Sequence, residues 1–117
     1  MRGVFAPVLA LFLALPAQAC EVALVLAVDV SGSVDAFEYG LQAEGIAAAL
    51  RDPDVQDALL HNRAALAVLQ WSGADEQSVS IPWTRLTEPA ELRRLAARVA
   101  AMPRAHAGGN TAVGAAI

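Results

Sequence analysis

Apolar and polar positions fall into blocks whose period changes along the chain. Val22 to Val28 is an unbroken apolar run rich in Val and Leu. It has the length of a strand and reads as one buried on both faces, as in the middle of a parallel sheet. The run stops at Asp29, where the chain turns polar and glycine-containing. A helix is expected over 36–51. Asp35 and Glu38 stand three apart at its start, the spacing of a capping box. Tyr39, Ala43, Ile46 and Leu50 recur at helical spacing and would face a sheet. Asp52-Pro53 ends this helix and opens a short second one through Leu60, with proline at the first helical position.

Ala64 to Trp71 is a second apolar run and the next expected strand. Ser72-Gly73-Ala74-Asp75 reads as a turn, and Val79 to Trp83 as a third, shorter strand. Pro82 has no N–H for a ladder bond, which assigns that strand to a sheet edge. A further helix is expected over 88–102, where Leu92, Leu95, Ala96 and Val99 match the i, i+3, i+4, i+7 template. Pro103 closes it, residues 104–110 form a glycine-containing loop, and Thr111 opens another helical-looking segment. No internal repeat is present. The alternation of strands and helices specifies an α/β layered fold.

The first nineteen residues follow a different logic. Met1-Arg2-Gly3 carries one positive charge, Val4 to Leu15 is apolar, and Ala17-Gln18-Ala19 ends in small residues. That order reads as a signal peptide, with cleavage expected before Cys20. The apolar stretch falls short of the about 20 residues that a membrane span needs, so no transmembrane helix is expected. The organisation is therefore residues 1–19 as leader and 20–117 as domain, with a periplasmic or secreted location. Cys20 is the only cysteine, so no disulfide closes within the chain. Lipid attachment at Cys20 is the alternative to simple secretion, but A-x-A suits an ordinary cut better than a lipobox.

Without the leader, seven arginines face twelve acids and the formal net charge is −5. Nucleic-acid binding needs a cationic surface, so nucleic acid is excluded as a partner. Candidate chemistry gathers directly after the first strand. Asp29, Ser31 and Ser33 alternate in a tight loop, and Gly32 lets the backbone turn there. In an open α/β sheet, ligands bind outside the carboxyl ends of the strands. Three oxygen side chains at alternate positions can converge on one point. An all-oxygen set without His or Cys suits Mg²⁺, Mn²⁺ or Ca²⁺ rather than zinc. The competing reading is structural: the same three residues satisfy a turn and cap a helix. His61 and His106 read as solvated loop residues, and Trp71 and Trp83 as packing residues. Neither serine sits in a G-x-S-x-G nucleophile turn.

The stretch Val25-Leu26-Ala27-Val28-Asp29-Val30-Ser31-Gly32-Ser33 resembles the first strand and metal loop of a von Willebrand factor type A (vWA) domain. Gly108-Gly109-Asn110-Thr111-Ala112 resembles the same family's threonine loop. The likeness runs from about Glu21 to Ile117. Gln70-Trp71-Ser72 and Pro82-Trp83-Thr84 are similar to stretches of an exported bacterial branch of unknown function. The resemblance implies a vWA/Rossmann-like layered sheet with flanking helices and a metal site of Asp29, Ser31, Ser33 and Thr111. In it, Ser31 and Ser33 would coordinate directly, Asp29 largely through water, and Thr111 in either way. It further implies a protein partner whose Asp or Glu completes the shell, hence an exported, non-enzymatic adhesion-type domain using Mg²⁺ (or Mn²⁺ or Ca²⁺). A Mg²⁺-dependent hydrolase or phosphoryl-transfer domain on the same loop is the alternative, and a non-functional truncated fragment is another.

The family's last metal-site aspartate follows a fourth strand, whereas this sequence stops after the threonine loop. The chain is thus expected to be an incomplete vWA-like domain, equivalent to the N-terminal half. Its first strand would then have one unguarded edge, and residues 20–117 are expected to self-associate.

Overall fold

The computed structural model describes Gly3 and residues 21–106. Leader, Cys20 and threonine loop, including Thr111, lie outside the described residues. Six elements follow in order: β1 (Ala23–Asp29), α1 (Ala36–Arg51), α2 (Pro53–His61), β2 (Ala65–Trp71), β3 (Gln77–Arg85) and α3 (Pro89–Ala100). They form a mixed three-stranded sheet with strand order β1-β2-β3. β1 and β2 run parallel from Ala23↔Ala65 to Asp29↔Trp71, with α1 and α2 as the crossover. β2 and β3 are antiparallel. The α/β class read from the alternation of periods is the class observed.

Local chemistry sets the ends of α1. The Asp35 carboxylate accepts from the Glu38 N–H at 2.8 Å, and the Asp35 N–H donates to the Glu38 carboxylate at 2.8 Å. This reciprocal pair satisfies two backbone N–H groups that an uncapped helix start leaves open. Asp52 then caps α2 through bonds to Asp54 and Val55 N–H groups. Asp35→Ala is expected to cost about 1 kcal/mol, the usual size of a lost N-cap. The check is a lowered urea midpoint with an unchanged slope.

α1 and α3 pack against each other and against one face of the sheet. Val28, Leu66, Val68 and Ile81 point from the strands to meet Ala47 and Leu50 of α1 and Leu92, Leu95, Ala96 and Val99 of α3. All four apolar positions expected in α3 are buried. Each fully buried Leu or Val removes enough apolar surface to contribute about 1.5–3 kcal/mol.

The other face differs from the expectation for β1. Ala23, Val25 and Ala27 are exposed, while Leu24, Leu26 and Val28 turn toward the helices. Among the described residues, all helices of the core lie on one side, so β1 is covered on one face only. The cause is that an unbroken apolar run carries no alternation to show which face is covered. β3 is longer than its apolar segment, because Gln77, Ser78, Thr84 and Arg85 also pair with β2. The ladder shifts register on either side of Val68, and Pro82 falls in such a break. A missing N–H is tolerated at a bulge on an edge strand. α3 stops at Ala100, three residues before Pro103.

Candidate functional site

The loop that leaves β1 is organised by one carboxylate. Val30 continues the ladder beyond the strand by donating its N–H to the Trp71 carbonyl at 2.9 Å. The chain then folds back on Asp29, whose Oδ1 accepts from the Ser31 N–H at 2.8 Å and from the Ser31 hydroxyl at 2.6 Å. Asp is suited to this task because its short side chain reaches the backbone two residues on. The Ser31 and Ser33 hydroxyl oxygens lie 3.2 Å apart, and the Val34 N–H closes the turn on the Ser31 carbonyl at 3.0 Å. Ser31 is fully buried and Ser33 is exposed. The structure therefore brings together three of the four residues singled out for metal binding, and the fourth, Thr111, lies outside the described residues.

The hydrogen assignments follow from the donors available. A carboxylate only accepts, so the Ser31 proton is committed to Asp29, and in the contact with Ser33 the Ser33 hydroxyl is the donor. Ligand oxygens of a six-coordinate Mg²⁺, bound at about 2.1 Å, stand about 3 Å apart, and those of Ca²⁺ at about 2.4 Å stand about 3.4 Å apart. The Ser31–Ser33 separation of 3.2 Å falls between the two. The two hydroxyls fit a hard divalent cation in spacing, and the set of one carboxylate and two hydroxyls fits one in chemistry. Asp29 Oδ1, at 2.6 Å from the Ser31 hydroxyl, is spaced as its hydrogen-bond acceptor and not as a neighbouring direct ligand. Asp29 is the carboxylate hydrogen-bonded within this loop, and among the described residues no group of three or more His, Cys, Asp or Glu that could hold a metal is gathered.

Gln42 and Arg104 hold this loop, and Gln70 and Tyr39 anchor the segment that carries Arg104. Gln42 on α1 donates from Nε2 to the Asp29 carbonyl at 2.8 Å. Arg104 donates from one Nη to three carbonyls of the loop, Val30 at 3.0 Å, Ser31 at 3.1 Å and Val34 at 2.6 Å. Gln70, buried within β2, donates to the Ser80 hydroxyl at 2.8 Å and the Pro103 carbonyl at 2.9 Å, and accepts from the Ala105 N–H at 2.8 Å. Tyr39 adds a bond from its hydroxyl to the Met102 carbonyl at 2.7 Å. Burial pushes the Tyr39 phenol above its ordinary pKa, against the opposing pull of the Arg104 charge. The hydroxyl thus remains a donor at neutral pH. A signal for Gln70 did exist: it shares the inward face of β2 with Leu66 and Val68, and a buried amide has to find partners.

Two expectations need correction here. His106 is half-buried, with a φ of 49° and a buried Nε2 that has no hydrogen-bond partner among the described residues. It is not a solvated side chain, because the segment that carries it is drawn in by Gln70. His61 is exposed as expected, but it is the last residue of α2 rather than part of a loop. Trp71 is buried as a packing residue should be, whereas Trp83 is 56% exposed on the uncovered face of the sheet.

Among the described residues no helix is long and apolar enough to cross a membrane. No curated protein matches the chain at a significant level. A family model described as a protein of unknown function, DUF1194, matches residues 19–117. That span takes in the loop and every strand and helix among the described residues, and the chain belongs to the DUF1194 family.

Proposed function

We propose that this chain is an exported protein-binding domain that uses the Asp29-Val30-Ser31-Gly32-Ser33 loop to hold Mg²⁺, or Mn²⁺ or Ca²⁺ in its place. The observation that carries the reading is the convergence of the Asp29, Ser31 and Ser33 oxygens at 2.6 and 3.2 Å. The resemblance to vWA domains supports it and adds Thr111 as a fourth ligand. When bound, the cation supplies open coordination positions for a carboxylate from outside. The chain's own residues do the rest. Asp29 orients the Ser31 hydroxyl and contributes the negative charge, while Ser31 and Ser33 present lone pairs and little charge of their own. A site so poor in charge is incomplete until an Asp or Glu of a partner protein joins it.

The surroundings favour a protein over a small molecule as that partner. Phe37 is 73% exposed and Leu41 58%, one helical turn apart on α1, directly after the loop. Large apolar side chains at i and i+4 form one continuous surface, and such a surface beside a polar centre is the anatomy of a protein interface. The leader-like residues 1–19 underlie the proposal of export, to the periplasm or beyond it.

Ser33 gives the cleanest test, because it is exposed and makes one weak contact in the loop. Ser33→Ala is expected to weaken Mn²⁺ binding by about tenfold or more, equal to about 1.4 kcal/mol, with no loss of thermal stability. Ser31→Ala together with Ser33→Ala is expected to abolish Mg²⁺ and Mn²⁺ binding. Titration calorimetry on the three proteins decides the matter. Equal affinity in parent and double variant would sink the assignment.

A further inference from the structure

We propose that Arg104 is the positioning residue of the cation loop, acting as a tethered cation held by the loop's own carbonyls. Its bearing on metal binding rests on the function proposed above; its bearing on the loop does not. The Val30, Ser31 and Val34 carbonyls all point at one Nη atom, at 2.6–3.1 Å. Three backbone oxygens converging on one point form a cation-binding arrangement, and here the guanidinium of the chain itself fills it. Turning the three carbonyls to one side directs the rest of the loop to the other. Ser31 shows this within a single residue: its carbonyl faces Arg104, while its N–H and hydroxyl face Asp29. The arginine therefore sets the orientation of the peptide whose side chain is the central oxygen of the site.

A clamp is only as rigid as its anchor, and this one is anchored on both sides. The residue before Arg104 is held by the bond from Gln70 to the Pro103 carbonyl, and the residue after it by the Ala105 N–H on the same side chain. One position further back, Tyr39 holds the Met102 carbonyl. The Arg104 backbone is thus fixed to β2 and α1, the two elements that flank β1 and its loop. A mobile surface arginine would contribute little, since ordering a long side chain offsets much of what its bonds gain. Charge-assisted bonds to three carbonyls, made from an anchored backbone, offset that cost. Arg104 is also the link between the loop after β1 and the segment that leads toward Thr111.

The opposite effect is also physically available. A positive charge beside a cation site repels the incoming ion, so an arginine acting by charge alone would lower metal affinity, and its removal would raise it. Positioning and repulsion predict opposite signs, which makes the experiment decisive.

The test uses the full chain as parent, Arg104→Ala and Arg104→Lys, with two measurements on each. The first is amide hydrogen exchange without metal. In Arg104→Ala the Ser31 and Val34 N–H groups are expected to exchange about tenfold faster or more, while Val68 in β2 is unchanged. Arg104→Lys falls between, and millimolar methylguanidinium slows exchange in the alanine variant but has no effect on the parent. Exchange of Ser31 and Val34 at the parent rate, or an equal acceleration in β2, overturns the proposal. The second measurement is Mn²⁺ binding followed by electron paramagnetic resonance. Binding about tenfold weaker in Arg104→Ala, restored by methylguanidinium, supports positioning. Tighter binding shows that Arg104 acts as a repelling charge and overturns it. A parent that binds no Mn²⁺ defeats the proposed function, and the exchange data then still decide the role of Arg104.

Discussion

Asp29→Asn is expected to abolish divalent-cation binding while leaving the loop folded. Asp29 does two things at once in this structure. Its Oδ1 accepts both Ser31 bonds, at 2.8 and 2.6 Å, which builds the turn. It also supplies the carboxylate charge of the oxygen set. Asparagine keeps an oxygen acceptor at the same place and can hold both Ser31 bonds, but it carries no charge. Affinity for hard cations depends on ligand charge and on the rigidity of the site. Two serine hydroxyls and an amide leave nothing to offset dehydration of the ion. The expected loss is at least about a hundredfold, on the order of 3 kcal/mol. Calorimetry with Mn²⁺ checks it, alongside protection of the Ser31 N–H in amide exchange. Retained protection with lost binding separates the electrostatic role from the structural one. Retained binding would show that the ion sits elsewhere. Asp29→Ala removes both roles, and loop protection is then lost as well.

The parts of this site that were legible in the sequence are the parts made by near neighbours. Asp29, Ser31 and Ser33 stand two residues apart, so their convergence needs only a turn. The capping box of Asp35 and Glu38 is likewise a three-residue affair. Residues 92, 95, 96 and 99 announce the buried face of α3 because helix geometry repeats every 3.6 residues. What could not be read is whatever depends on tertiary placement. Arg104 meets the loop from more than seventy residues away, and an arginine after a helix looks like any solvated charge. Gln42 lies on the half-buried side of a helix where a glutamine is equally at home in water. Gln70 was visible as a polar residue in an apolar run, but its three partners were not. β1 failed for a related reason: a strand of Val, Leu and Ala is the same string of letters whether one face or both are covered.

The uncovered face of the sheet has a consequence for the behaviour of the chain in solution. Val25, Val79 and Trp83 are 48%, 65% and 56% exposed. With Ala67, Leu69 and Pro82 they line a groove of about 320 Å³ in which no charged residue takes part. Next to this face, β1 pairs with β2 alone among the described residues, and its apolar edge carries no lysine or proline to discourage another strand. Apolar sheet faces pack against one another at about 10 Å, so a second copy of the chain offers a matching surface, and the net charge of −5 on residues 20–117 opposes association only weakly. Purified residues 20–117 are therefore expected to sediment as oligomers or aggregates. Val79→Lys combined with Trp83→Lys is expected to shift them strongly toward monomer. Both side chains stand largely in water, and exposed substitutions usually change stability by about 0.5 kcal/mol or less. The shift would thus report on the surface and not on unfolding. Sedimentation velocity and thermal melting of both proteins make the comparison. A parent that is monomeric with a sharp, cooperative transition would count against the idea, since a freely exposed face of this kind is one that monomers rarely keep.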